Sequence, residues 1–181
     1  MVNFMLTITA KLVNLTNLQP QGGIDDPNFS YYFKMKCNHC GEISKKATCV
    51  NLDEIILFPT RRSFTNLVQT CKLCERVGSV KLIPGYGRPL SIECGQYEIY
   101  KPLMVFDCKG LEPVDFIFGN GWRADSTDGT KFYWIDLTRG EYSDYDKDGQ
   151  FPIKVLNLRA KFDVVNIDIL GRIRFVVECE G

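Results

Sequence analysis

The chain has 181 residues, 45% of them hydrophobic, with 22 basic and 22 acidic side chains and a formal net charge of zero. That length holds one ordinary domain or two small ones around a buried core. Neutrality argues against a generic polyanion binder, and no apolar run is long enough to cross a membrane as a helix.

Strand-like runs follow one another along the chain. The first, 4–15, alternates Phe4, Leu6, Ile8, Ala10 and Leu12 with other residues, the period of a half-buried strand. It has no charged start and no long apolar core, so it reads as structure and not as a secretory signal, and the expected compartment is the cytoplasm, with the nucleus also open. A loop at Gln21-Gly22-Gly23-Ile24-Asp25-Asp26-Pro27 precedes a strand at 29–36. Runs rich in Val, Ile, Phe and Tyr at 52–58, 64–70 and 79–83 complete a first half. Pro84-Gly85-Tyr86-Gly87-Arg88-Pro89 reads as a junction, dividing the chain into 1–88 and 89–181. Strands at 97–107, 113–118, 130–137, 153–158, 160–169 and 172–178 follow, with Asp168-Ile169-Leu170-Gly171-Arg172 turning a last hairpin. No segment carries a convincing helical period, so the predicted fold class is all-β.

Two of these runs deliver the chain into Cys-x-x-Cys pairs, Cys37-Asn38-His39-Cys40 and Cys71-Lys72-Leu73-Cys74. A strand ending in a tight turn that presents two thiolates is a zinc knuckle, and two knuckles complete a tetrahedral site. Gly41 supplies the positive φ such a turn often needs. Two other readings compete. Disulfides need an oxidising compartment, for which no signal is present. A thioredoxin-like redox motif expects one pair opening a helix in a βαβ unit, and no helical period follows either pair. Iron also accepts four thiolates, so residue type alone leaves the metal open. The doubled spacing favours one structural Zn2+ on Cys37, Cys40, Cys71 and Cys74.

A four-thiolate site has no coordination position left for water or substrate, so it predicts no catalysis. The expected function is a non-enzymatic, zinc-stabilised β protein that binds another protein as a module or adaptor. One alternative is a thiol-redox or metal-transfer protein with labile zinc. The other is a nucleic-acid-binding zinc ribbon using Lys34, Lys36, Lys45, Lys46, Arg61, Arg62, Lys72, Arg76 and Lys81 with Tyr31, Tyr32 and Phe64. Strand edges commonly carry lysine to block aggregation, and the neutral chain lacks an RNA motif, so nucleic acid is the weaker reading. Charge is nonetheless divided: residues 1–90 carry 11 basic and 6 acidic side chains, and residues 91–181 carry 11 and 16. Zinc with four thiolates would add −2 to the first half, so the asymmetry fits two halves packed on each other as well as an outside partner.

His39 is the only histidine and lies between two proposed ligands, so it is expected to face solvent. A two-histidine metal motif is impossible, and a Ser-His-Asp triad would need His39 inside the knuckle. Asp144-Tyr145-Asp146-Lys147-Asp148-Gly149 imitates half an EF-hand, but the twelfth position is Val155 where the loop needs Glu. It reads as an acidic surface turn that, with Glu141 and Tyr142, offers a docking surface to a basic partner. Cys49, Cys94, Cys108 and Cys179 read as small apolar core residues, Cys179 with a second reading as an exposed reactive thiol. A faint repeat matches Asn17-Leu18-Gln19-Pro20 to Gly110-Leu111-Glu112-Pro113 and Cys40-Gly41-Glu42 to Arg139-Gly140-Glu141; if real, the second copy has lost its cysteine pairs.

Tyr32-Phe33-Lys34-Met35-Lys36-Cys37-Asn38-His39-Cys40-Gly41-Glu42-Ile43-Ser44 resembles the eukaryotic CXXC-motif-containing zinc-binding protein family, long filed as a domain of unknown function. So do Leu67-Val68-Gln69-Thr70-Cys71-Lys72-Leu73-Cys74, the run Cys108 to Phe116 and the acidic, aromatic Tyr142-Ser143-Asp144-Tyr145-Asp146. The resemblance covers roughly residues 5–162. It implies two similar barrel-like halves and one zinc on Cys37, Cys40, Cys71 and Cys74, with no established catalytic activity. The loop around 21–28 and the stretch after about Val164 run longer than the family pattern.

Overall fold

The computed structural model describes residues 1–58 and 63–176, built almost wholly from antiparallel strands. At its centre β1 (Val2–Val13) pairs on one side with β14 (Phe151–Ile167) and on the other with β9 (Lys101–Lys109). The sheet extends outward through β13 (Tyr142–Asp146) beyond β14, and through β8 (Val77–Ile83) and β7 (Leu67–Thr70) beyond β9. A last strand, β15 (Ile173–Phe175), folds back on the tail of β14. The turn at Asp168 to Arg172 forms as expected, its Asp168 carboxylate accepting from the Leu170 and Arg172 amides at 2.9 and 2.8 Å.

The chain leaves this sheet at two corners. β1 runs through Asn14 (φ +54) into β2 (Leu15–Pro20), and β9 runs through Gly110 (φ +76) into β10 (Leu111–Ile117). Each emerging strand joins a three-stranded sheet. β10 pairs with β3 (Tyr31–Cys37), which pairs with β4 (Thr48–Val50). β2 pairs with β11 (Trp122–Ser126), which pairs with β12 (Lys131–Ile135). A two-stranded ribbon, β5 (Ile56–Leu57) with β6 (Phe64–Thr65), completes the strands. The result is two similar curled halves on one large sheet, and strands from both sides of residue 88 interleave at β1–β9, β8–β9, β2–β11 and β3–β10.

One core fills the space between the sheets. Phe106 on β9 is edge-on to Tyr31, Phe33 and Phe162 at 5.8, 5.4 and 5.2 Å between centroids, and Phe29 links Tyr31 to Trp122 at 4.9 and 5.1 Å. Such contacts stabilise beyond the area they bury. Trp122 is fully buried and donates its Nε1–H to the Phe118 carbonyl at 2.8 Å, which removes the penalty for burying that group. β1 alternates as its sequence indicates, but Met5, Thr7 and Thr9 between its core positions are buried too, and only Lys11 among the intervening residues is exposed. Met5 packs with Val105 and Val165 on the sheet's outer face, partly covered by Ile167 and Ile173.

Several expectations need correction. A short helix, α1 (Ile92–Gln96), forms where none was predicted; five residues are too few to show a period. Gly95 allows it to lie against β1, since a Cβ there would overlap the Ala10 carbonyl oxygen. The runs 153–158 and 160–169 are one strand, continuous through Asn157 at φ +52. Thr48–Val50 forms a strand and 52–55 does not. β2, β11 and β13 were not predicted as separate strands: β2 pairs only with the distant β11, whereas β11 and β13 form short hairpins with β12 and β14 from polar five-residue runs that lack a strong apolar alternation. Of the run 172–178, the last two residues lie outside the described residues.

Candidate metal centre

The two cysteine pairs are built alike. Cys37 closes β3, and Cys71 follows β7 directly. In the first turn the Cys37 amide donates to the Glu42 carbonyl and the Gly41 amide returns to the Cys37 carbonyl, both at 2.9 Å. In the second, the Cys71 amide donates to Arg76 at 2.8 Å and the Glu75 amide to Cys71 at 2.9 Å. The fourth residue after each leading cysteine has positive φ, Gly41 at +75 and Glu75 at +62. Glycine adopts that conformation freely; Glu75 shows that the turn imposes it.

The turns face each other. Cys37 Sγ lies 3.6 Å from Cys74 Sγ, Cys40 Sγ lies 3.6 Å from Cys71 Sγ, and all four sulfurs fall within 4.8 Å of one another. Zn–S bonds of about 2.3 Å in a tetrahedron place sulfurs about 3.8 Å apart, so the cluster fits that ion. It does not fit disulfides, whose sulfurs stand at about 2.05 Å. The Cys40 and His39 backbone amides draw the Cys37 thiol down to about 6, and those of Cys74 and Leu73 lower Cys71. Cys40 is pushed up to about 12: the Glu42 amide pulls it down, but desolvation and the neighbouring sulfurs outweigh it. Cys74 is raised against its Arg76 amide in the same way. Four sulfurs this close cannot all be charged without a cation among them. His39 is exposed and is not among the clustered ligands.

The family model for the eukaryotic CXXC motif containing zinc binding protein matches residues 5–163. The chain belongs to this family. It is 35% identical to the Homo sapiens CXXC motif containing zinc binding protein over 158 residues, which are 87% of this chain and 95% of that one. Its Xenopus laevis counterpart is 33% identical over 163 residues, 90% and 98% of the two chains. A crystal structure of C1orf123 superposes with a TM-score of 0.79 at 34% identity, covering 88% of this chain and 98% of that one. A hypothetical protein from Plasmodium falciparum shares the fold alone, with a TM-score of 0.76 at 17% identity over 90% and 100% of the chains. Family and geometry together give one Zn2+ per chain. The end of β14 and β15 lie beyond the matched residues.

The other candidates separate. Cys108 is buried, and burial first, then Asp107 and Glu112, hold its thiol far above the ordinary range, while Cys49 and Cys94 are half-buried. Cys179, Arg61 and Arg62 lie outside the described residues. Tyr31 is fully buried in the aromatic core and cannot serve a nucleic-acid face; Tyr32 and Phe64 are exposed, with Lys81 Nζ 4.3 Å from the Phe64 ring centroid. The acidic turn is not wholly a surface feature, because Asp146 is only 1% exposed. Among the described residues, no helix is long and apolar enough to cross a membrane.

A cleft of about 550 Å³, which no residue pattern announces, opens beside the knuckles. Met35, Ala47, Leu73 and Leu111 supply its apolar lining, and Lys45, Lys46, Lys72 and Arg76 its charge. Cys37 and Cys71 both line it, so the metal centre forms part of its wall.

Proposed function

We propose that this protein is a non-enzymatic, zinc-stabilised binding module that takes an extended acidic segment of a partner protein into the cleft beside the metal. The position of that cleft carries the reading. It is lined by β7 and by the start of β4, strands at the ends of their sheets. Free strand edges offer unpaired backbone groups to an extended peptide, and the pockets between them sort its side chains.

Charge selects the occupant. Lys45, Lys46, Lys72 and Arg76 form no ion pair among the described residues. Their four positive charges exceed Glu42 together with the formal −2 of zinc bound to four thiolates, so the lining stays net positive. Single-stranded nucleic acid is usually gripped by stacking its bases on aromatic rings, and no aromatic side chain lines this cleft among the described residues. A peptide with alternating acidic and apolar residues suits both lining and rim.

Cys37, Cys40, Cys71 and Cys74 are the zinc ligands in this reading. Bound zinc supplies a cross-link and no open coordination position, so its part is mechanical. The two knuckles carry the cleft walls, and joining them sets the width of the opening. The thiols of Cys49, Cys94 and Cys108 are free, which suits a reducing compartment such as the cytoplasm.

The test is fluorescence anisotropy at low salt with zinc-loaded protein and a labelled peptide of about ten alternating Glu and Val residues. Binding is expected, weakened at least about tenfold in the Lys72→Glu/Arg76→Glu double variant with zinc retained. Equal affinity for a Lys/Val peptide would remove the acidic reading. Binding of a single-stranded RNA instead, lost in the same variant, would favour the nucleic-acid reading. Rapid alkylation of the clustered cysteines with zinc release would favour thiol-redox or metal-transfer chemistry.

A further inference from the structure

We infer that the second half carries, where the first has its metal centre, a metal-free latch made by Asp146, Ser126 and Thr130. The pairing of the strands fixes the correspondence. At one corner Leu111 opens β10 opposite Cys37, and at the other Leu15 opens β2 opposite Ser126, so Ser126 stands where Cys37 stands. In the knuckle after β7, Cys71 lies across from Arg76, its amide bonded to that carbonyl. In the turn after β13, Asp146 pairs with Phe151, the same five residues on. Position four is again left-handed, Glu75 at φ +62 and Gln150 at φ +58.

The match extends through the ladder. Eight residues after Cys71, Ser79 pairs with Lys109, the residue before the corner at Gly110; eight after Asp146, Lys154 pairs with Val13, the residue before the corner at Asn14. This register differs from the short echoes in the sequence: Leu15, not Leu18, is the counterpart of Leu111. The first knuckle corresponds to 126–130, not to 139–141.

The local chemistry has kept the knuckle pattern with oxygen in place of sulfur. The Leu73 and Cys74 amides, two and three residues on, donate to the Cys71 sulfur. The Asp148 and Gly149 amides, likewise two and three residues on, donate to Asp146 Oδ1 at 3.0 and 3.2 Å. Across the gap, where the first half gathers sulfurs about a cation, the Ser126 hydroxyl donates to Asp146 Oδ2 at 2.6 Å and the Thr130 hydroxyl to Oδ1 at 3.1 Å. Every oxygen of the buried carboxylate is engaged by donors from the two turns. A charge-assisted hydrogen bond between turns thus replaces a metal between turns. The fold closes one end with zinc and the other without it, so the state of the metal governs the end that carries the cleft.

Hydrogen exchange on the full chain, read segment by segment with metal content measured in parallel, tests this. Chelating zinc from the unmodified protein is expected to deprotect 37–42 and 71–76 while 126–130 and 146–151 stay slow. Zinc-loaded Asp146→Asn should do the reverse, with exchange at 126–130 and 146–151 raised at least about tenfold and one zinc retained. Ser126→Ala, which removes a single hydroxyl, serves if Asp146→Asn does not fold, and should show the same pattern more weakly. Unchanged exchange at both latch segments in the variants, zinc loss from either variant, or a second metal ion per chain abolished by Asp146→Asn would each overturn the inference.

Discussion

Cys40 Sγ lies 3.6 Å from Cys71 Sγ, and this contact joins two turns thirty-one residues apart in sequence. Cys37 Sγ and Cys74 Sγ make the matching contact at 3.6 Å, and in small zinc modules the metal contributes about 10–16 kcal/mol of apparent folding free energy. Cys71→Ser leaves three thiolates and a weak hydroxyl, so it is expected to lose zinc and to loosen the knuckle end of the first half. Elemental analysis and a melting curve check this. Full zinc content with an unchanged transition would contradict it.

The two knuckles place different residues in the same left-handed position, which makes their sensitivity unequal. Gly41→Ala puts a Cβ on a residue at φ +75, at a cost of about 1–2 kcal/mol. Glu75 already bears that cost at φ +62, so Glu75→Ala should be within about 0.5 kcal/mol of neutral. Zinc affinity by chelator competition should fall for Gly41→Ala and hold for Glu75→Ala. An equal loss in both would mean that the side chain of Glu75, and not the backbone, matters.

Phe106 ties the halves together, since it is fully buried on β9 and touches rings from β3 and β14. Phe106→Ala removes those contacts and leaves a cavity in the main core, where the strands around it are fixed by their ladders and cannot readily close it. The expected loss is about 3–5 kcal/mol, read as a lower midpoint of urea unfolding with zinc still bound. A shift under about 1 kcal/mol would show that the core repacks.

The metal centre was legible because its signal is local: two residues separate the cysteines of each pair, and the strand before each pair fixes the turn. Its tetrahedron needed only two such turns to meet. The cleft was not legible, since Thr48 and Gln69 come within 3.3 Å only through the packing of separate sheets. Asp146 was misread for the same reason. Its neighbours Asp144 and Asp148 are exposed and give the string an acidic look, whereas Ser126, twenty residues earlier, is what makes Asp146 a buried acceptor. Helix α1 is set by the Ser91 hydroxyl, which accepts from the Cys94 amide at 3.4 Å, and by the room Gly95 leaves on β1, neither visible as a period.

Acid should expose the latch separately from the metal. The Ser126 hydroxyl first, then the backbone amide of Gly149, the Thr130 hydroxyl and the Asp148 amide, hold Asp146 below the ordinary carboxylate value of 3.8. A carboxyl group depressed on folding stabilises the native state above its unfolded pKa, and that stabilisation is lost as pH falls through the folded value. Zinc is displaced earlier, as protons compete for the thiolates, so the comparison is made on metal-free protein throughout. The gap in Tm between the unmodified protein and Asp146→Asn should be constant above about pH 5 and should close below 3.8. Asn cannot ionise, and with its oxygen kept at the Oδ1 position for the Asp148 and Gly149 amides its NH2 group replaces the Oδ2 acceptor of the Ser126 hydroxyl, so the variant lacks this acid limb. A gap that persists undiminished at the lowest pH reached would assign the difference to packing and not to the charge.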